Sequence, residues 1–457
     1  MILGLLLAGG VAASPVDLLI KGGTVVTVDA RMRVLPGGAV AVRGSVIDAV
    51  LASGEPTPPA REVIDATGHL VIPGLVNTHG HVPMILFRGL ADDLALMEWL
   101  NDVIFPAEAR DVDPEFCYWG TLLACVEMAR SGTTTFADMY YFEEEIARAT
   151  DRAGLRGVLG QTIIGFPAPD HKTTDAALAG AESFILKYKS HPRVVPSVAP
   201  HALYTTSLDV VRRAAEVARR HGVPLQIHAQ ESRQEDEMVR AKFGKTTITV
   251  LDEAGILGPG VVLHHVVTAT DDDVRLMVGR GAGASHNPES NMKVGAGMAR
   301  VPEMLAADLA VGLGTDGAAS NNNLDLFEAM DFAAKAHKLV RGDPTVLPAR
   351  DVFRMATIGG ARALGMADRL GSIERGKQAD LVLVDVRSPE LTPLYDVYSH
   401  LVYAIKGHAV RTVLVGGRVV VRDRRMLTVD TAEVMARARA LQKRILDGRR
   451  SDAKATR

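Results

Sequence analysis

Through the middle of the chain, short runs of apolar and β-branched residues alternate with stretches of helical period. Gly132 to Ala137 is followed by Glu143 to Ala153, Val194 to Ala199 by Leu208 to His221, and Leu225 to Ala229 by Glu235 to Ala241. A strand, a helix and a further strand in succession return the chain to the same sheet in parallel, because only a crossover of that length reaches back. The pattern therefore predicts βαβ units and a parallel sheet. With 457 residues the chain has room for such a sheet and an accessory domain. Its 47% hydrophobic and 23% charged residues are the proportions of a protein that builds its own core.

The two ends read differently. Leu18-Leu19-Ile20, Thr24 to Val28, Ala39 to Val42 and Val46 to Val50 are short strands separated by turn residues, Gly22-Gly23 among them, and they read as antiparallel. The same texture returns in Ala379 to Val384 and in Val410 to Val421 with its Gly416-Gly417 turn. Small sets of strands are marginal alone, so segments 16–72 and 375–430 are expected to join into one small β-sandwich domain that the central segment 73–374 interrupts. Residues 431–457 read as a charged helix that frays. Ile2 to Ala13 is an uncharged apolar run ending in Val11-Ala12-Ala13-Ser14, so 1–15 is expected to be a signal-like segment, which implies export, or a frayed terminus. The run is shorter than the roughly 20 residues of a membrane span.

Lys and Arg number 51 against 54 Asp and Glu, a net charge of −3. That balance lacks the basic excess that nucleic acid or an anionic membrane calls for, and a small-molecule partner fits better. The two cysteines, Cys117 and Cys125, lie eight apart in a helical segment, roughly 12 Å at the helical rise, too far for a disulfide.

Chemistry concentrates on histidines at the ends of strand candidates. Leu70 to Val76 runs into His79-Gly80-His81, and residues two apart on a strand share a face, so both imidazoles can reach one metal ion. His228 ends the run Val223 to Ile227, and Glu231 follows three residues later, where a carboxylate can move protons beside a metal without binding it. Val261-Val262-Leu263 delivers His264-His265, of which alternation admits only one to the site. Leu309 to Leu313 leads to Gly314-Thr315-Asp316-Gly317, where Asp316 can bind a metal, accept a proton from water or cap the next helix. In a (β/α)8 TIM barrel every strand end opens on one face, which brings these stations together. His79, His81, His228 and Asp316 then supply three nitrogens and one oxygen and leave a position for water, the pattern of a catalytic rather than a structural site.

The same residues in the same order resemble the amidohydrolase superfamily, in its mononuclear deaminase and chlorohydrolase branch, from about Asp17 to Leu427. The fold class expected is therefore α/β, a (β/α)8 TIM barrel with the small β-sandwich formed from the N- and C-terminal segments. The fourth strand reads Ala199-Pro200-His201-Ala202, without the bridging lysine of the dinuclear branch, so the resemblance implies one divalent ion per subunit. Zinc suits three imidazoles and a carboxylate, with iron or manganese as alternatives.

Finer likeness lies in Arg88 to Leu94 with Met97 to Leu100, Ser131 to Tyr140, Ser285 to Lys293 and Gly314 to Asn323. Together these resemble the 5′-methylthioadenosine and S-adenosylhomocysteine deaminases. The resemblance implies hydrolytic deamination of 5′-methylthioadenosine, S-adenosylhomocysteine or adenosine to the inosine analogue and ammonia. Glu231 would protonate a ring nitrogen and pass a proton to the leaving ammonia, Asp316 would take the proton of water, and His265 would polarise the attacking oxygen while His264 faces the barrel wall. Glu108 matches the carboxylate that binds ribose hydroxyls, or serves the helix dipole in its first turn. His201 matches the imidazole that contacts the purine. Trp99 walls the pocket or packs the core. No arginine stands after the third strand, and Lys172 is the cation left to meet a homocysteine carboxylate, as a point charge and not a fork. The alternatives are another N-heterocycle, guanine or a triazine, deaminated or dechlorinated by the same machinery, or a barrel that serves as a non-catalytic scaffold. The resemblance further implies a cytoplasmic homo-oligomer, a dimer or tetramer, and the charge balance and the short apolar run lead us to expect no nucleic-acid partner and no stable membrane association.

Overall fold

A computed structural model of the protein describes residues 14–455. The signal-like run at residues 2–13 lies outside the described residues. Among the described residues no helix is long and apolar enough to cross a membrane.

The alternating middle forms a closed barrel of eight parallel strands. In chain order these are β1 (Leu75–Asn77), β2 (Thr133–Tyr140), β3 (Arg156–Ile163), β4 (Val194–Pro200), β5 (Leu225–Ala229), β6 (Val261–His265), β7 (Gly283–His286) and β8 (Ala310–Leu313). Each strand pairs with the next, and β8 closes on β1 through Leu313 opposite Asn77. Strands β2 and β3 are buried along their whole length, as a parallel sheet covered by helices requires. The helices carry their own start and stop signals. Leu208–His221 buries Val210, Val211, Ala214 and Ala218, is capped by the Ser207 hydroxyl accepting from Val210 N, and ends at Gly222, whose φ of 65° turns the chain toward β5.

The two chain ends build one mixed sheet of nine strands. Its seam is Leu381–Asp385 antiparallel to His69–Pro73, with Leu381 opposite Pro73 and Asp385 opposite His69. The hairpin strands Val34–Arg43 and Val46–Leu51 follow Val16–Val26 in antiparallel order. Ala60–Asp65, which the strand reading left out, and His69–Pro73, the first part of the run Leu70 to Val76, lie parallel to Val16–Val26, one along its first half and the other along its second. The sheet curls until Ala379 N donates to Ser45 O and Ile47 N to Lys377 O, at 2.8 Å each. Leu18, Ile20, Val40 and Val42 from one end thereby share a core with Leu381, Leu383 and Leu414 from the other. Thr431–Ala455 is helical, as its charge pattern predicts, but it packs through Val434, Leu441 and Ile445 instead of fraying throughout.

Where the small sheet meets the barrel, Arg156 at the start of β3 donates to Asp380, and both side chains are only 5% exposed. Arg156 also donates to Thr135 Oγ1 at 3.1 Å, and Gly416 N donates to Asp380 Oδ1 at 2.7 Å. Breaking a buried pair strands a charge, so Arg156→Met or Asp380→Asn is expected to cost about 3–5 kcal/mol. Urea unfolding of the metal-loaded protein measures this, and a loss below about 1 kcal/mol would show that water reaches the junction.

Candidate metal centre

The strand ends converge at the C-terminal mouth of the barrel. β1 ends at Asn77, which is locked to the β8 loop by Asn77 Nδ2 donating to Thr315 Oγ1 at 2.7 Å and by Thr315 N donating back to Asn77 Oδ1 at 3.1 Å. His79 and His81 therefore sit beyond the strand rather than on it, and pleat alternation does not place them. The loop does so instead: Asp316 N donates to His79 O at 3.0 Å, and Val82 N donates to Asp138 Oδ1 at 2.6 Å. Gly314 has to be glycine, since a Cβ there would lie 2.8 Å from His79 Cβ and 2.3 Å from Asn287 Oδ1.

The ring nitrogens are presented in a common direction. His81 Nδ1 lies 2.6 Å from Met139 O and His228 Nδ1 lies 2.9 Å from His201 O. Each Nδ1 donates to its carbonyl, which turns Nε2 inward with a free lone pair. His79 Nε2 and His81 Nε2 stand 3.4 and 3.5 Å from Asp316 Oδ1. Those are long for hydrogen bonds, but two donors about 2.0–2.1 Å from one zinc ion at a tetrahedral angle stand about 3.3–3.4 Å apart. Both nitrogens of buried His79 lack a hydrogen-bond partner, a costly state that a metal would relieve. Two ligand groups share His79, one with His228 and His265 and the other with His81 and Asp316, each within 4.8 Å. The donor set fits a divalent ion.

Alternation failed at His264-His265. His264 pairs in register with His228, so both face the barrel interior, and the His264 ring stacks on His79 with centroids 3.9 Å apart. It does not face the barrel wall. His265, the last strand residue, reaches the site because its φ of 72° takes it out of the pleat. Its Nδ1 lies 2.8 Å from Asn291 Oδ1, and its Nε2 lies 3.7 Å from Glu231 Oε1 and 3.9 Å from Asp316 Oδ2.

Burial sets the charge states. It pushes His79 down to about 3 and His228 well below the usual imidazole value, keeping both neutral as metal ligands must be. Burial also acts to raise the Asp316 carboxyl, but the closeness of His79 and of the other imidazoles outweighs this and holds it well below the usual range. Burial raises Glu231, with His265 opposing.

Above the centre a cavity of about 580 Å³, counted to its mouth, is lined by His81, His228, Glu231 and Asp316. Glu108, His201 and Trp99 line it as well. Burial pushes Glu108 up to about 8 against the nearby hydroxyls of Tyr140 and Tyr141, and pushes His201 down to about 3. Trp99 opens a π-helical turn, Trp99–Ile104, where it packs in the core and also walls the cavity. Lys172 is not in the site. Its ammonium donates to Ala168 O at 2.7 Å and to Pro169 O at 3.4 Å, carbonyls of its own loop, and it lines no part of the cavity. A loop carbonyl within four residues is a nearer partner than a pocket.

Sequence reasoning missed the short helix Pro288–Lys293. Ser290 Oγ donates to Asp316 Oδ2 at 2.7 Å, and Asn287 Nδ2 lies 3.2 Å from His265 Nδ1. Asn287, Ser290 and Asn291 stand at positions i, i+3 and i+4, one helical face opening from a strand end, and that spacing was legible. Ser290→Ala removes the donor that steadies Asp316 and is expected to weaken metal affinity about 10–100-fold. Competition with a chelator reads this, and unchanged affinity would show that Asp316 is held by Gly317 N alone, at 2.7 Å.

A closed parallel barrel that gathers imidazoles and carboxylates at its strand C-termini defines a barrel enzyme with a metal centre at its mouth. The chain belongs to the amidohydrolase family, whose model matches residues 70–420. Over 432 residues it is 46% identical to the 5-methylthioadenosine/S-adenosylhomocysteine deaminase 1 of Syntrophus aciditrophicus, covering 94% of this chain and 98% of that one. It is 42% identical over 424 residues to a 5′-deoxyadenosine deaminase of Methanosarcina mazei, covering 92% and 96%. A crystal structure of an adenosine deaminase from Xanthomonas campestris with bound zinc superposes with a TM-score of 0.93 at 38% identity, covering 95% of this chain and 99% of that one.

Proposed function

We propose that the protein is a metal-dependent hydrolytic deaminase that converts an adenosine-type nucleoside (5′-methylthioadenosine, S-adenosylhomocysteine or adenosine) to its inosine analogue and ammonia. The observation that carries this is the convergence of His79 Nε2 and His81 Nε2 on Asp316 Oδ1 in a cavity that also holds Glu231. His79, His81, His228 and Asp316 would hold one divalent ion, zinc by the fit of its donors. Such an ion, when bound, lowers the pKa of water and polarises the reacting centre.

The chain's own groups do the rest. Water adds to the carbon that bears the amine, and the carbon–nitrogen bond then breaks to release ammonia. The Glu231 carboxyl delivers its proton to the adjacent ring nitrogen as the water oxygen attacks, takes up the proton left on the added hydroxyl and carries it to the departing amine, and is reprotonated at the end by the proton that Asp316 accepted. Asp316 Oδ2, steadied by Ser290, is the acceptor for the proton that water loses. His265 Nε2, oriented through Nδ1 by Asn291, polarises the incoming oxygen. Glu108 would bind the ribose hydroxyls, His201 would contact the purine and Trp99 would cover the base, a reading supported by their place on the cavity wall.

Ammonia release by zinc-replete protein from adenosine, 5′-methylthioadenosine, S-adenosylhomocysteine, guanine and a chlorotriazine tests the reading. Turnover of the adenosine-type compounds is expected. Turnover of guanine or the triazine alone would overturn it.

A further inference from the structure

A second hollow adjoins the catalytic cavity and shares Leu100, Phe105 and Tyr204 with it. Its outer walls are apolar in Met97, Phe166 and Met238 and polar in Asn101, Thr205 and Gln234, and among the described residues none that lines it carries a charge. Phe166 and Met238 are 38% and 44% exposed. Phe166 meets the Phe105 ring edge-on at 5.1 Å. Single exposed apolar residues are ordinary, but methionines and aromatics grouped around one opening beside a catalytic cavity make an adaptable apolar surface.

Neither Lys172 nor Arg233 lines it. Lys172 is held by the carbonyls of Ala168 and Pro169. Gln234 and Met238, four apart, turn one face of the helix Arg233–Phe243 to the hollow, whereas Arg233 is exposed and does not line it. A substituent that ends in an amino-acid zwitterion would shed water from two charges here and meet no counter-charge. An alkylthio group or a bare methyl loses only unfavourable contact with water.

We propose that this hollow is the subsite for the substituent on the 5′ carbon of the nucleoside, and that it selects uncharged, apolar substituents over those that end in charged groups. The inference rests on the deamination reading above. With the base amine at the metal centre, the walls common to both cavities carry the far end of the sugar outward into the hollow.

The test compares kcat/KM of the holoenzyme for 5′-methylthioadenosine, 5′-deoxyadenosine, adenosine and S-adenosylhomocysteine. The first is expected to exceed the last by about tenfold or more, chiefly through KM. Met238→Ala and Phe166→Ala are each expected to lower the ratio of 5′-methylthioadenosine to adenosine by about fivefold. Met238→Arg is expected to raise the relative use of S-adenosylhomocysteine. Equal or better use of S-adenosylhomocysteine by the unaltered enzyme, or an unmoved ratio in both alanine variants, would overturn the subsite and leave deamination standing. A loss of S-adenosylhomocysteine turnover alone in Arg233→Met would reveal a cationic grip and overturn the selectivity. Failure to deaminate any of the four would overturn the deamination reading, and the subsite with it.

Discussion

Glu231→Gln is expected to lower kcat by about 10²–10⁴-fold while the metal stays bound. The amide matches the carboxyl in size, so the contacts around it survive, including Glu231 N donating to Glu235 Oε2 at 2.9 Å. What it lacks is a proton that can be given up and taken back. Glu231 lines the cavity with its Oε1 3.7 Å from His265 Nε2, and deamination needs one proton on the ring and another on the leaving nitrogen. Steady-state rates and metal analysis of the same preparation check the expectation. A variant that keeps its metal and turns over within about tenfold of the unaltered enzyme would move the proton transfer elsewhere.

His79→Ala is expected to remove both metal and turnover. His79 belongs to both ligand groups, so no other single change empties as much of the centre. His81 and Asp316 in loops and His228 near the end of β5 do not replace a ligand that is fully buried and fixed through its backbone carbonyl by Asp316 N. Elemental analysis should fall from about one metal per chain to a small fraction of that, with ammonia release at background. Because the His264 ring stacks on His79, the variant also loses packing under the site, and its thermal midpoint belongs beside that of metal-free unaltered protein. A full complement of metal in a well-folded His79→Ala protein would contradict the ligand assignment.

Much of the barrel was legible because periodicity is a local property. Val194 to Ala199 and Leu225 to Ala229 are strands β4 and β5 almost to the residue, and Leu208–His221 is a helix over the same bounds. The pairing of the chain ends was legible from the strand texture that both share, since small sets of strands are marginal alone. Legibility stopped where geometry leaves the regular pleat. His79 and His81 lie past the end of β1 and are set by contacts to β2 and the β8 loop, so the reasoning that joined them was incomplete even though they do converge. At His265 one left-handed residue brings that side chain to the site as expected, while His264, expected at the barrel wall, also faces inward. Trp99 and Phe105 line the cavity only because a π-helical turn lays them across the barrel mouth, which no local pattern in the sequence announces. Charge and position point Lys172 to the cavity, but the carbonyls of its own loop hold its ammonium instead.

The most direct test of the account is a zinc titration of the metal-free protein with 5′-methylthioadenosine present and ammonia release as the readout. No turnover is expected at the start, then a linear rise and a plateau at about one equivalent per chain, with Glu231→Gln binding the same amount and staying silent. Full turnover without metal, or a plateau reached only at about two equivalents, would contradict it.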